Sequence, residues 1–256
     1  MELSRAREIV PRIEVLPEVG STNAALRALA VDDAAWPHLA VLLTDTQTAG
    51  RGRLDRTWIA PAGSSLAISV VLRRLPAEPE VRGWIPLAAG VAMADAVAAQ
   101  LPSSDVSVKW PNDVLVDGSK ICGILAEAGG DAVIVGTGVN TAMTASELPV
   151  PTATSFAVLG AQVDPDRLLA DYLGALRDLI AGLVDSGDAV ASGLHGAVTA
   201  RCATIGLDVD VSLPGSRRLT GTATGIDHDG RLMVRADDGE HVVAAGDVVH
   251  VRPAQD

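Results

Sequence analysis

The twelve residues Gln47-Thr48-Ala49-Gly50-Arg51-Gly52-Arg53-Leu54-Asp55-Arg56-Thr57-Trp58 interleave glycine with arginine. Glycine lets a backbone approach a ligand closely, and guanidinium forks grip carboxylates and phosphates in bidentate, charge-assisted pairs. There is no Gly-Lys-Ser/Thr, so this is not a Walker loop. On these residues alone the segment is as readily a solvated loop as an anion site.

A second segment, Val108-Lys109-Trp110-Pro111-Asn112-Asp113, is followed at short range by Lys120-Ile121-Cys122-Gly123-Ile124-Leu125. Lysine occurs nowhere else in the chain, and 18 of its 20 cations are arginine. Asparagine occurs only at Asn23, Asn112 and Asn140. Where composition has replaced most Lys by Arg, a retained lysine points to chemistry that needs a compact ammonium beside developing negative charge. Asn112 offers both donor and acceptor, as a base edge requires. Asp113 can hold Mg²⁺ or take a proton.

Two weaker signals accompany these. Gly136-Thr137-Gly138-Val139-Asn140 closes an apolar strand, and a strand-ending turn accounts for it without a ligand. Ser21-Thr22-Asn23 is accounted for by helix capping, yet it also gathers short polar side chains at a helix N-terminus. The histidines, His38, His195, His228, His241 and His250, have no metal-ligand neighbours at useful spacing, so no zinc site is expected.

Helices and strands must hold these segments together. The 256 residues carry 48% hydrophobic and 20% charged side chains, enough for a sizeable core and against disorder. A net charge of −12 counts against general nucleic-acid binding. Two distant cysteines, Cys122 and Cys202, make no disulfide framework and fit a reducing cytoplasm. No signal core or membrane span is expected.

The spacing predicts a helix over 24–30, strands over 39–44 and 65–72, and a buried helix over 85–101. A strand follows at 106–109, then a hairpin turning at Asp117-Gly118 between 114–116 and 120–128, then a strand over 131–139. Asp164-Pro165 opens a long helix with Leu168, Leu169, Tyr172, Leu173, Leu176, Leu179, Ile180 and Leu183 on one face. After Arg201 short alternating runs (209–213, 218–226, 231–235, 241–244, 248–252) separated by Pro214-Gly215, Asp229-Gly230 and Asp238-Gly239 predict a small all-β barrel. The body before it reads as α+β with a mostly antiparallel sheet, giving units at 1–200 and 201–256.

In this order the four segments resemble the biotin protein ligase family over most of the chain. The resemblance implies an α+β catalytic domain like that of class II aminoacyl-tRNA synthetases, with a mixed, mostly antiparallel sheet, plus a C-terminal SH3-like β-barrel. It implies ATP, Mg²⁺ and biotin. Biotin is activated as biotinyl-5′-AMP, then passed to a lysine of the biotin carboxyl carrier domain of acetyl- or acyl-CoA carboxylase or pyruvate carboxylase. Carried across by motif, Ser21, Thr22 and Gln47 hold the ureido ring with Asn23 beside them. Gly50, Arg51, Gly52 and Arg53 cover the valerate and phosphate, and Trp58 closes over the ligand. Asn112, Gly136, Gly138 and Asn140 line the nucleotide side, with Gly123 in the same motif as Lys120. The catalytic set is Lys120, Arg51, Arg53, Asp113 and Lys109, with Asp113 also the Mg²⁺ ligand.

The family usually has glycine where this chain has Asp55, and commonly arginine where it has Leu54. The expectation is a loop that stays mobile until biotin or adenylate arrives. Only 20 residues precede Ser21, too few for the helix-turn-helix that some members carry, so the expectation is a monofunctional enzyme without DNA binding, a monomer or weak homodimer. Lipoate–protein ligation and a non-catalytic biotin or nucleotide sensor are the alternatives. Two retained lysines favour catalysis, since binding biotin alone needs no phosphate cations.

Overall fold

All four residues of Val41–Thr44 and all eight of Ser65–Leu72 are buried, and strands buried on both faces need cover on both. The computed structural model, which describes residues 1–54, 56–213, 217–244 and 246–250, shows that cover. The elements run α1 (Ser4–Ile9), β1 (Ile13–Val15), α2 (Thr22–Leu29), β2 (Val41–Thr44), β3 (Gly50–Arg51), β4 (Thr57–Trp58), β5 (Ser65–Leu72), α3 (Ile85–Ala98), β6 (Val106–Lys109), β7 (Asp113–Val116), β8 (Ser119–Gly129) and β9 (Ala132–Asn140). Then come α4 (Pro165–Ser186), α5 (Leu194–Arg201), β10 (Asp208–Leu213), β11 (Arg217–Ile226), β12 (Leu232–Ala236), β13 (Gly239–Val243) and β14 (Asp247–His250).

Seven strands form a mixed sheet in the order β1-β2-β5-β9-β8-β7-β6. Only β1 and β2 pair in parallel; the other neighbours are antiparallel. One face packs Val41, Leu43, Val70 and Leu72 into the main core with α3 and α4. The other turns Leu42, Val71, Ala132 and Ile134 toward Leu26 of α2 and Trp36.

α3 has eleven of fourteen residues buried, as an interior helix must when it is apolar all round. The stretch Pro79–Ala98 is apolar and long enough to cross a membrane by composition, but most of it is buried in the chain's own core. α4 is held from its ends inward. Asp164 accepts a hydrogen bond from Arg167 N at 3.1 Å, Pro165 opens the first turn, and Gly187 closes the helix at φ 66°. Its stripe buries Leu168, Leu169, Tyr172, Leu173, Leu176, Ile180 and Leu183, while Leu179 is half-buried at the edge. Each fully buried leucine contributes about 1.5–3 kcal/mol.

β3 and β4 pair with each other, and the last five strands form a separate antiparallel sheet in the order β13-β12-β11-β10-β14. Two buried tryptophans pin it to the larger body. Trp84 Nε1 donates to the His228 carbonyl at 2.9 Å and Trp110 Nε1 to the Gly230 carbonyl at 3.0 Å. Turns fall at Asp229-Gly230 and Asp238-Gly239 as expected; Pro214-Gly215 lies outside the described residues. The helix expected over 85–101 ends at Ala98, and α1, β1 and α5 were not anticipated.

Candidate active site

Strand alternation builds the floor. Ala132 and Ile134 pack beneath α2, and the next side chains on that face of β9 are Gly136, Gly138 and Asn140. With the bulk removed, a cavity of about 310 Å³ opens above them. A Cβ on Gly136 would run into Asn23 Oδ1, and one on Gly138 would lie 2.8 Å from Trp58 Cε2 and Cζ2. Beneath the floor Thr137 Oγ1 and Tyr172 Oη share a buried hydrogen bond of 2.9 Å, and burial pushes the Tyr172 phenol up, so it stays neutral.

The N-terminus of α2 forms one wall. Ser21 caps the helix by accepting from Ala24 N at 3.4 Å. Gln47 Oε1 accepts from Thr22 N at 2.8 Å and from Thr22 Oγ1 at 3.2 Å, which joins the start of the glycine–arginine loop to that wall. Asn23 Oδ1 accepts from Ser69 Oγ at 2.6 Å, and Nδ2 donates to the Leu125 carbonyl at 3.1 Å and to Glu127 Oε2 at 2.8 Å. Both of its N–H bonds are therefore directed into the protein.

The loop folds back as the short β3–β4 pair, with Gly50 opposite Trp58 and Arg51 opposite Thr57. A Cβ at Gly50 would meet the Trp58 carbonyl at 2.5 Å, so this position admits only glycine. Trp58 lies across Gly138 and against Gly123, its Nε1 buried without a hydrogen-bond partner. Arg51 Nη1 lies 3.1 Å from Glu127 Oε1. Arg53 Nη1 donates to Asn112 Oδ1 at 3.0 Å and Nη2 to the Gly246 carbonyl at 3.2 Å, while Asn112 Nδ2 donates to the Ile124 carbonyl at 2.8 Å. Leu54 has φ 53° and is 65% exposed; Asp55 lies outside the described residues.

Lys120 and Asp113 complete the rim. The β7–β8 register runs Val114↔Cys122 and then Leu115↔Lys120, which leaves Ile121 as an extra, bulged residue. That residue turns Lys120 onto the face of Asp113 and Gly123. Lys120 Nζ stands 2.6 Å from Asp113 Oδ1, an ion contact rather than an aligned hydrogen bond. Asn140 Nδ2 donates to the Thr154 carbonyl at 2.9 Å. Next to it, Pro149, Val150 and Ala153 close an apolar wall.

Ser21, Thr22, Asn23, Gln47, Arg51, Gly52, Arg53, Trp58, Asn112, Asp113, Lys120, Gly123, Gly136, Gly138 and Asn140 thus line one cavity. Gly50 stands behind Gln47 and Trp58 rather than in the lining. Lys109, on the edge strand β6, is not in the lining either; it stands in register with Asp113 and near His250. Sequence reasoning missed the 149–153 wall, which a bridge between Lys120 and Ala153 brings in, and it missed Glu127. Asp227, His228 and Asp229 do place three ligand-type atoms within 4.8 Å, which linear spacing did not anticipate. Arg231 pairs with Asp227 at 2.7 Å and Asp229 at 2.8 Å. Cys122 is buried and its thiol is pushed up, so it is no nucleophile.

Two family models match the chain: the Biotin/lipoate A/B protein ligase family over residues 17–140 and the Biotin protein ligase C terminal domain over residues 204–251. A biotin–[acetyl-CoA-carboxylase] ligase of Mycobacterium tuberculosis is 40% identical over 243 residues, covering 94% of this chain and 90% of that protein. Its counterpart from Paracoccus denitrificans is 33% identical, covering 91% and 98%. The solved biotin protein ligase of Aquifex aeolicus, in complex with biotin and ATP, superposes with a TM-score of 0.77 at 26% identity, covering 94% and 99%.

Proposed function

The chain belongs to the biotin–[acetyl-CoA-carboxylase] ligases, and on that premise we infer how its own residues carry the reaction. It is an ATP-dependent ligase that activates biotin as biotinyl-5′-AMP and passes it to a lysine of a carboxylase carrier domain. In the first step a biotin carboxylate oxygen bonds to the α-phosphorus of ATP. The bond to the bridging oxygen breaks and pyrophosphate leaves. In the second, the carrier lysine's amine attacks the acyl carbon, the acyl–phosphate bond breaks and AMP leaves.

Two anions must be held in contact while charge develops on the phosphorus, which calls for cations placed before the reaction. The observation that carries the assignment is that Arg51, Arg53 and Lys120 line the same cavity as Ser21, Thr22 and Gln47. On this reading the polar cluster at the α2 N-terminus takes the ureido ring, and the two arginines take the carboxylate and phosphate. Trp58 covers the ligand, and Asn112 and Asn140 face the nucleotide. Lys120 stabilises the developing charge, and Asp113 fixes its ammonium.

Asp113 is the one carboxylate among the described lining residues, and its buried Oδ1 stands against Lys120 Nζ at 2.6 Å. A carboxylate in this lining fits Mg²⁺ carried on nucleotide phosphates, which needs only one or two protein carboxylates. Bound there, the ion would offset phosphate charge. The same carboxylate is placed to receive a proton from the incoming amine.

We further assign residues 1–200 to a class II synthetase-like catalytic unit and 201–256 to an SH3-like barrel, a division supported by the separate five-stranded sheet. On the same reading the protein acts in the cytoplasm, supported by two buried free thiols, as a monomer or weak homodimer. It takes up no DNA or membrane, and a net charge of −12 supports the former. Incubation with biotin, Mg-ATP and a carrier domain, followed by mass spectrometry, tests the reaction. The expected result is one biotinylated lysine on the carrier; an unmodified carrier and no biotin-dependent pyrophosphate exchange would sink it.

A further inference from the structure

Glu127 lies outside the cavity lining, directly behind two residues that are in it. It follows Gly123 and Leu125 on one face of β8, two residues at a time, so its carboxylate comes up beneath the α2 N-terminus. Only 16% of its side chain is exposed. One oxygen accepts from Asn23 Nδ2 at 2.8 Å, and the other lies 3.1 Å from Arg51 Nη1. A single, largely covered carboxylate therefore ties the first turn of α2 to the glycine–arginine loop.

We propose that Glu127 is a positioning residue for Arg51 in adenylate formation, holding the guanidinium from behind so that its other edge faces the reacting anions. The proposal rests on the ligase reaction assigned above. An arginine on a glycine-flanked loop has many rotamers, and fixing it before the anions meet removes an ordering cost from the activation step. Arg27 Nη1, 3.9 Å from the same carboxylate, supplies a second cation, so Arg51 is oriented without having its charge fully cancelled. Asn23 receives its orientation from the same group and from Ser69, with no N–H left over for a ligand.

The test is a double-mutant cycle in the full chain. Glu127→Gln keeps an acceptor for Asn23 and removes the charge that Arg51 feels. The expected result is a loss of about tenfold in biotin-dependent ATP–pyrophosphate exchange, which is about 1.4 kcal/mol. Biotin affinity by calorimetry should stay within about threefold, and the melting temperature should be unchanged. In an Arg51→Ala background the same substitution should cost less than about twofold, because its route of action is gone. Equal losses in both backgrounds, or no loss in either, would overturn the proposal. Should Glu127→Gln not fold, Glu127→Asp serves instead, with the same coupling to Arg51 expected and the same overturning result. Failure of the ligase reading itself is seen separately, as no biotin-dependent exchange in the unsubstituted chain, and it would take this proposal with it.

Discussion

Lys120 and Gly123 stand three residues apart on one strand and face the same cavity, because β8 carries Ile121 as an extra residue between them. An odd separation on a regular strand puts two side chains on opposite faces. Without the bulge the ammonium would be directed into the core. With it, the lysine stem crosses Gly123, where a Cβ would come within 3.2 Å of Lys120 Cε and Nζ, and the charge reaches Asp113.

Lys120→Ala should therefore remove charge stabilisation without removing the biotin pocket. Biotin-dependent pyrophosphate exchange is expected to fall by about 100-fold or more, in the range seen when one preorganised electrostatic partner is deleted. Biotin affinity, measured by calorimetry, should change by less than about threefold. Normal turnover by this variant would show that another group stabilises the transition state.

Gly138 gives way to an aromatic ring rather than to a turn. A methyl there would lie 2.8 Å from the indole of Trp58, so Gly138→Ala must push the tryptophan off the floor. The variant should raise the KM for biotin by about tenfold while the strand itself persists, since alanine is a weak but tolerated strand residue. A second substitution, Trp58→Ala, should cost less on the Gly138→Ala background than on the unsubstituted chain. Additive losses would mean the two positions act separately.

Arg53 uses both arms of its guanidinium, one on Asn112 Oδ1 at 3.0 Å and one on the Gly246 carbonyl at 3.2 Å. It thereby joins the loop to the β6–β7 turn and to the segment leading into β14. Lysine keeps the charge and loses the fork, so Arg53→Lys should behave much like Arg53→Ala, with exchange down by about tenfold or more. Full rescue by lysine would reduce Arg53 to a point charge.

What could be read from the chain was whatever repeats locally. The apolar stripe of α4 recurs at helical spacing, and the Asp117-Gly118 turn, with φ 49° and 76°, marks its hairpin with two residues. Of the rare lysines and asparagines, Lys120, Asn23, Asn112 and Asn140 all fall in the lining of one cavity, while Lys109 does not. The positions that sequence did not yield all depend on register between distant strands. β1 is three residues long and is a strand only because β2 lies beside it. Glu127 reads as an ordinary strand carboxylate until β8 is placed against α2. Lys109 is as rare as Lys120, yet it falls on the edge strand, and no count of lysines distinguishes the two.

His250 supplies a prediction on pH. Thr204 Oγ1 accepts from Trp110 N at 3.0 Å and shares a 3.1 Å hydrogen bond with His250 Nε2, in which either atom can be the donor. Burial, and then the nearby Lys109 ammonium, lower the His250 pKa from 6.5 to about 4. In the unfolded chain the histidine takes its proton near 6.5, while the folded chain resists until about 4. Between those values the unfolded state binds more protons, so stability falls as the pH falls through that window and is flat above it. Melting temperatures from pH 7.5 down to 4.5 should therefore drop more steeply for the unsubstituted chain than for His250→Gln, which keeps an acceptor for Thr204 and does not titrate. Parallel curves would mean that Thr204 and Lys109 leave His250 free to protonate in the folded protein.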